Sequence, residues 1–284
     1  MQRHLNEPVL LIKTAWGGRS LHTDFRPPSA GPYVFTEQQL KHFEDRGKNL
    51  DEEKKKKAEN TGRSYKAMMA HVQSVLKDIT RVYPDYDKKA GYSLEGFVWF
   101  QGWNDMVDLG TYPQRDKPGG YKAYSENLAV FIRDIRKELN APKMAFVIGV
   151  LGVGGPTSKY GKQQQRYKAI HQNFRDAMAA PASLPEFKGN VHVVLTEAFW
   201  DHELDALDSR KERVRQKDHE LKKNPDISKE ERARIIKEMR DNLYTDEERK
   251  TLRGISNGAY HYLGSAAIMA QIGKAFADAM VSQP

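Results

Sequence analysis

Gly96-Phe97-Val98-Trp99-Phe100-Gln101 decides the fold, because this apolar run stops abruptly at Gly102-Trp103-Asn104-Asp105. It is typical of a buried parallel strand, and three other runs share the pattern, at residues 8–13, 145–151 and 191–196. Small or amide-bearing residues stand where two of these runs end. In open α/β sheets ligands bind at the carboxyl ends of the strands. The pattern therefore predicts a functional site at that edge.

Apolar residues at helical spacing separate these runs. They predict four helices, at residues 65–79, 124–135, 167–178 and 267–280. Strands and helices in alternation predict a three-layer α/β/α sandwich with a mainly parallel sheet, as one domain over residues 1–284. Charged segments at about residues 37–63 and 202–253 are expected to be surface excursions. The second is expected to be a helical hairpin broken at Asn224-Pro225-Asp226.

Composition excludes several classes of protein. The chain has no cysteine, which excludes disulfides, thiol catalysis and zinc–thiolate sites. Its net charge of +8 permits weak attraction to polyanions, but no basic patch with interleaved aromatic residues indicates a nucleic-acid partner. No apolar run approaches the roughly 20 residues of a membrane span. The nine histidines show no metal-binding spacing, so neither a metal nor a cofactor is expected.

The stretch Lys13-Thr14-Ala15-Trp16-Gly17-Gly18-Arg19-Ser20 follows the first apolar run. Gly17 and Gly18 would let the backbone approach a ligand closely, and backbone amides in such a turn stabilise a developing oxyanion. Ordinary turns also contain paired glycines, so a structural turn is the alternative. Trp16 beside them is a candidate for substrate binding.

Asn104 is the strongest single candidate in the second motif. Its side-chain amide is an uncharged donor suited to an oxyanion, and Gln101 adds a further donor and acceptor. The alternative is that Asn104 or Asp105 caps the helix that follows the strand. Trp103 is either a platform for a sugar ring or a buried wedge.

His261 lies in the stretch Tyr260-His261-Tyr262-Leu263-Gly264, ahead of the last predicted helix. A general base is neutral near pH 7 and is oriented by a third group. The candidates for that orienting group are Glu197, Asp201 and Asn257. A histidine among tyrosines also fits a purely structural role.

Together these motifs resemble the SGNH-hydrolase superfamily, in its sialate O-acetylesterase-like carbohydrate esterase branch. Residues 13–21 are similar to its glycine block, 101–105 to its asparagine block and 256–266 to its histidine block. The resemblance implies that Gly17 or Gly18 supplies a backbone oxyanion donor, that Asn104 supplies a side-chain donor, and that His261 is the general base. It implies an acetylated carbohydrate as substrate.

The chain departs from that family's pattern at two points. Many relatives carry Asp three residues before the histidine, and here that position is Gly258. The serine block, which belongs on a strand before Pro8, is absent, and Ser20 lies on the wrong strand for its role. We expect either an esterase fragment whose start was cut or misassigned, or a natural relative without the serine. A missing N-terminal segment would make export to the periplasm or the cell exterior the expectation, although these residues carry no signal peptide.

The expected function is that of a serine esterase that removes acetyl groups from carbohydrate. One alternative is a non-catalytic carbohydrate-binding protein on the same scaffold, which would use Trp16, Gln101 and Trp103. Another is a polyanion-binding protein that works through its basic helices. The identity of the sugar and the oligomeric state are not determined by the sequence.

Overall fold

The computed structural model describes residues 1–281, and contacts divide the chain into two compact units. Unit 1 comprises Met1–Leu151, Tyr160–Leu195 and the residues from Ala275 onward. Unit 2 comprises Gly152–Lys159 and Thr196–Lys274. The expectation of one domain over residues 1–284 stays a prediction.

Unit 1 contains a parallel sheet of three strands, β1 (Gly96–Trp99), β2 (Ala145–Val150) and β3 (Val191–Leu195), in the order β1-β2-β3. The register pairs Val98 with Val147 and Ile148 with Val193. Every residue of β2 is buried, as an apolar run in a central strand requires. Three of the four predicted strands are therefore confirmed.

The helices of the described residues fall between and after these strands. In chain order they are α1 (Gln2–Leu5), α2 (Glu37–Asp45), α3 (Leu50–Asn60), α4 (Arg63–Lys77), α5 (Trp103–Val107), α6 (Lys122–Glu138), α7 (Gln165–Ala179), α8 (His202–Ser209), α9 (Lys211–Lys223), α10 (Lys229–Asp241), α11 (Asp246–Leu252) and α12 (Ala266–Val281). The four predicted amphipathic helices are confirmed as α4, α6, α7 and α12. No helix in residues 1–281 has the length and apolar character that crossing a bilayer requires.

Helices cover both faces of the sheet within unit 1. On one face, Phe131 of α6 packs edge-on against Phe146 of β2, with ring centroids 6.4 Å apart. On the other face, Phe276 of α12 lies so close to Gly149 of β2 that an added Cβ would approach its ring to 2.6 Å. The residues of β2 alternate between these two layers of helix. This arrangement is the predicted three-layer α/β/α sandwich.

The predicted strand at residues 8–13 is wrong. The structure shows this segment as irregular chain, and Leu11 is 83% exposed. A parallel strand needs a neighbour to pair its backbone N–H and C=O groups, and in the described sheet β1 pairs with β2 alone. β1 is thus an edge strand, with Val98 42% exposed.

The charged segments are helical. α2 and α3 contain no buried residue, in agreement with the prediction of a solvated segment at residues 37–63. In unit 2, α9 and α10 form the predicted hairpin on either side of Asn224-Pro225-Asp226. Their contact is a small apolar core of Val214, Leu221 and Ile236. This core gives the hairpin a local source of stability.

Candidate active site

Asp105 joins the two predicted loops of unit 1. It lies in α5 with no solvent exposure, and its carboxylate accepts hydrogen bonds from the backbone N–H groups of Leu21 at 2.7 Å and His22 at 3.0 Å. The hydroxyl of Tyr112 donates to the same carboxylate at 3.1 Å. The chain that leaves the glycine turn is therefore bound to the helix that carries Asn104.

Gln101 strengthens this connection. Its side-chain nitrogen donates to Asp105 Oδ2 at 2.7 Å and to the carbonyl oxygen of Arg19 at 2.9 Å. Both of its amide protons are thus used between the two loops. Gln101 stands at the end of the β1 run, so it places Arg19 at the carboxyl end of β1. The structure thus shows that Gln101 connects the two loops. Its role in binding substrate stays a prediction.

The surroundings of Asp105 set its charge. Burial raises the pKa of Asp105 to about 6, against the hydrogen bonds from Gln101, Leu21 and His22, which lower it. At pH 7 the carboxylate is therefore still mostly ionised. An ionised carboxylate is an acceptor only, which matches the four donors that surround it.

The backbone N–H of His22 is one of the donors to Asp105, but the environment of its imidazole does not suit a general base. Its ring lies edge-on between those of Tyr33 and Tyr112, at centroid distances of 5.0 and 5.7 Å. Burial, with the charge of Arg26, lowers the pKa of His22 to about 4. Its Nδ1 is buried without a hydrogen-bond partner in the part of the chain that the structure describes. An imidazole with so low a pKa accepts a proton weakly, and without a partner at Nδ1 it is not oriented for proton transfer.

The glycine turn is open. Gly17 and Gly18 are both exposed, and a Cβ added to either would meet no atom within 4 Å. Gly18 has a φ of +69°, a left-handed conformation that glycine adopts without strain. Within residues 1–281 neither amide N–H has a hydrogen-bond partner. The turn can therefore present backbone donors to a ligand.

Asn104 is not a helix cap. α5 begins at Trp103, and the residue in the N-cap position is Gly102, so neither Asn104 nor Asp105 caps it. The Asn104 side chain is half-buried and has no hydrogen-bond partner among the described residues. An amide held on the first turn of a helix, with its donors unused, suits the binding of an oxyanion.

The two tryptophans differ in exposure. Trp16 is 42% exposed, and its ring lies 6.0 Å from that of Phe25, which in turn meets Trp99 at 5.2 Å. It is thus the outer end of a row of rings. Trp103 is half-buried at the start of α5. Their roles in binding substrate stay predictions.

Ser20 is engaged in its own loop. Its hydroxyl donates to Asp24 Oδ2 at 3.2 Å and accepts from the backbone N–H of Thr23 at 3.2 Å. No histidine is hydrogen-bonded to it among the described residues. A serine without a neighbouring base is a weak nucleophile. Ser20 is therefore not an activated nucleophile in this structure.

His261 belongs to unit 2. It is exposed in a turn of 3-10 helix, Ala259–Gly264, and its backbone N–H donates to Gly258 O at 2.9 Å. Its ring lies 4.4 Å from that of Tyr260. Within unit 2 its imidazole makes no hydrogen bond. The pairing of His261 with the loops of unit 1 stays a prediction.

Two of the predicted orienting groups have other partners. Asp201 caps α8 by accepting a hydrogen bond from Leu204 N at 2.9 Å, and Asn257 Oδ1 accepts from Gly258 N at 2.7 Å. Glu197 lies in the turn Thr196–Phe199 after β3, and its role stays a prediction.

One family of known proteins matches most of the chain. The sequence model of the family described as carbohydrate esterase, sialic acid-specific acetylesterase, matches residues 1–198. The chain belongs to this family. The match includes Gly17, Gly18 and Asn104, whereas His261 lies beyond it. No curated protein and no solved structure matches the chain.

The description of this family, as carbohydrate esterases that act on acetyl groups, indicates an acetylated carbohydrate as its substrate class. Sequence reasoning missed the function of Asp105, which it considered only as a helix cap. A carboxylate next to Asn104 and four residues after Gln101 was the available signal.

No group of three or more metal-ligating side chains occurs within residues 1–281.

Proposed function

We propose that this chain carries the oxyanion hole and the general base of an SGNH-type serine esterase that removes acetyl groups from carbohydrate. The proposal rests on the hydrogen bonds of Asp105, which connect the chain after the open glycine turn to the helix that carries Asn104. Family membership supports the same chemistry.

The mechanism is acyl transfer to a serine followed by hydrolysis. His261 takes the proton of the serine hydroxyl while its oxygen attacks the acetyl carbonyl. The amides of Gly17 and Gly18 and the side chain of Asn104 bind the oxyanion that forms. The tetrahedral intermediate then collapses, and the sugar oxygen leaves with the proton from His261. A water activated by His261 releases acetate and restores the serine.

In this proposal the nucleophile is a serine upstream of residue 8, as the resemblance implies. Ser20 is the serine nearest to the glycine turn, and its hydroxyl is already committed to Asp24 and Thr23. The resemblance assigns the nucleophile to a serine block on another strand. An upstream-extended version that supplies such a block is therefore the form in which turnover is measured.

Asn104→Ala in that extended version tests the proposal. We expect kcat for an acetylated sugar to fall by about 100- to 1000-fold with little change in KM, because the lost donor acts on the oxyanion. Asn60→Ala is the control, since Asn60 is an exposed asparagine on α3. An unchanged kcat in Asn104→Ala would remove Asn104 from the mechanism.

A carbohydrate-binding protein without catalysis is the second candidate. The exposed ring of Trp16 supports it, because a tryptophan face next to an open turn can stack on a sugar. An extended version that binds an acetylated sugar but never hydrolyses it favours this candidate. Binding of this kind hardly responds to salt, whereas binding of a polyanion by lysines weakens steeply as ionic strength rises.

A further inference from the structure

The turn that follows His261 contains strained backbone. Tyr262 has φ 53° and ψ 40°, and Leu263 has φ 60° and ψ 5°. Residues other than glycine rarely adopt this left-handed region, because Cβ comes too close to the following carbonyl oxygen. Such strain persists only where the surrounding structure determines the conformation, and it concentrates at functional sites.

Burial and hydrogen bonds hold this strained turn within unit 2. Tyr262 is 3% exposed and Leu263 is 0% exposed. The carbonyl oxygen of Leu263 accepts hydrogen bonds from the backbone N–H groups of Ser256 and Asn257, at 3.0 and 3.1 Å. The turn is therefore closed on the segment that precedes His261.

The hydroxyl of Tyr262 contacts two residues that are far from it in the sequence. It accepts a hydrogen bond from Gly152 N at 2.7 Å and shares a hydrogen bond of 2.6 Å with Thr196 Oγ1. A Cβ at Gly152 would come within 2.0 Å of Glu197 N, so the two segments that meet this hydroxyl are tightly packed. The phenol thus connects the turn to two packed segments, at Gly152 and at Thr196.

We propose that Tyr262 is the positioning residue for His261, an inference that rests on the proposed role of His261 as general base. Gly258 has no side chain to orient the imidazole, and within unit 2 the imidazole makes no hydrogen bond. The backbone of His261 therefore sets its Cα–Cβ direction, and the ring lies against that of Tyr260. The anchored phenol of Tyr262 holds that backbone from the next residue along the chain.

Tyr262→Phe tests the anchor in the full 284-residue chain by amide hydrogen exchange. The variant keeps the ring and loses the hydroxyl, so we expect exchange over residues 256–265 to accelerate by about tenfold. Tyr65→Phe is the matched control, since the buried Tyr65 of α4 also donates a hydrogen bond, to Glu138 at 2.8 Å. It should leave exchange over residues 256–265 unchanged. Unchanged exchange in Tyr262→Phe overturns the proposal.

Kinetics of the extended version separate positioning from stability. We expect Tyr262→Phe to lower kcat by about tenfold at constant KM, whereas Tyr65→Phe leaves both unchanged. If Tyr262→Phe does not fold, Thr196→Val removes one of the two hydrogen bonds and should act in the same direction. If His261→Ala is fully active, the proposed function fails. If His261→Ala is inactive but Tyr262→Phe has a normal kcat, only the positioning role fails.

Discussion

At the scale of single residues, Asp105 is a buried carboxylate that connects two loops of unit 1. Its carboxylate accepts four hydrogen bonds, from two backbone amides, Gln101 and Tyr112. Removing one partner of such a set leaves buried groups unsatisfied, which costs more than an exposed bond is worth. The loss of Asp105 would therefore disturb the helix that also carries Asn104.

Asp105→Asn should destabilise the chain by about 2–3 kcal/mol near neutral pH, since an amide supplies one acceptor oxygen where the carboxylate supplies two. The native pKa of about 6 is raised from 3.8, so the folded state binds a proton more tightly than the unfolded state. Stability from this group is thus present at low pH and is lost as pH rises through about 6. The stability difference between native chain and variant should shrink by about 2 kcal/mol between about pH 4.5 and about pH 7.5. Urea denaturation at both pH values measures it, and a difference that grows with pH contradicts it.

At the scale of elements, α6 packs against the sheet of unit 1 through Phe131. Phe131 is completely buried, and its ring centroid lies 4.4 Å from that of Trp99 and 5.9 Å from that of Phe97. Both partners belong to β1, the strand that leads into Gln101. Packing at this face therefore supports the strand end from which the site begins.

Phe131→Ala should lower the free energy of unfolding by about 3–5 kcal/mol, because it leaves a cavity among aromatic rings. Val98→Ala is the control on the same edge strand, where the side chain is 42% exposed and the expected loss is below about 1 kcal/mol. Urea denaturation compares the two variants. Equal losses would show that α6 does not support β1.

At the scale of the whole molecule, the predicted machinery is divided along the chain. The proposed oxyanion donors, Gly17, Gly18 and Asn104, lie within the family match over residues 1–198. The proposed general base, His261, lies in unit 2 beyond this match. The helices of unit 2 are rich in charge, but ion pairs such as Arg232–Asp218 at 2.8 Å neutralise part of it. Charge alone therefore offers little support for a polyanion site there.

The 284-residue chain by itself should show little or no esterase activity. A system that loses a member of its triad retains only a residual rate of roughly 10³–10⁴-fold over water. Hydrolysis of p-nitrophenyl acetate and of an acetylated sugar, each beside His261→Ala, measures this. Strong turnover that depends on His261 would contradict the prediction and point to a nucleophile within these residues, with Ser20 first.

Much of the fold was predictable because apolar periodicity is a local property. The runs at residues 96–101, 145–151 and 191–196 contain β1, β2 and β3, and β2, the central strand, is buried throughout. The run at residues 8–13 is also mostly apolar, and it is irregular. Pairing depends on a neighbouring strand, and composition does not report whether one is present.

The candidate site, like the fold, was predictable from the sequence only in part. Sequence alone singled out Asn104 after the apolar run of β1, and Gly17 and Gly18 after an apolar run that forms no strand. Only the tertiary structure decided how the loops are held, because Asp105 binds residues 84 and 83 positions away in the chain. The same is true of Tyr262, whose hydroxyl meets Gly152 110 positions away. Hydrogen bonds over such separations, and the strained dihedrals that they hold, arise from packing and leave no periodic trace in a sequence.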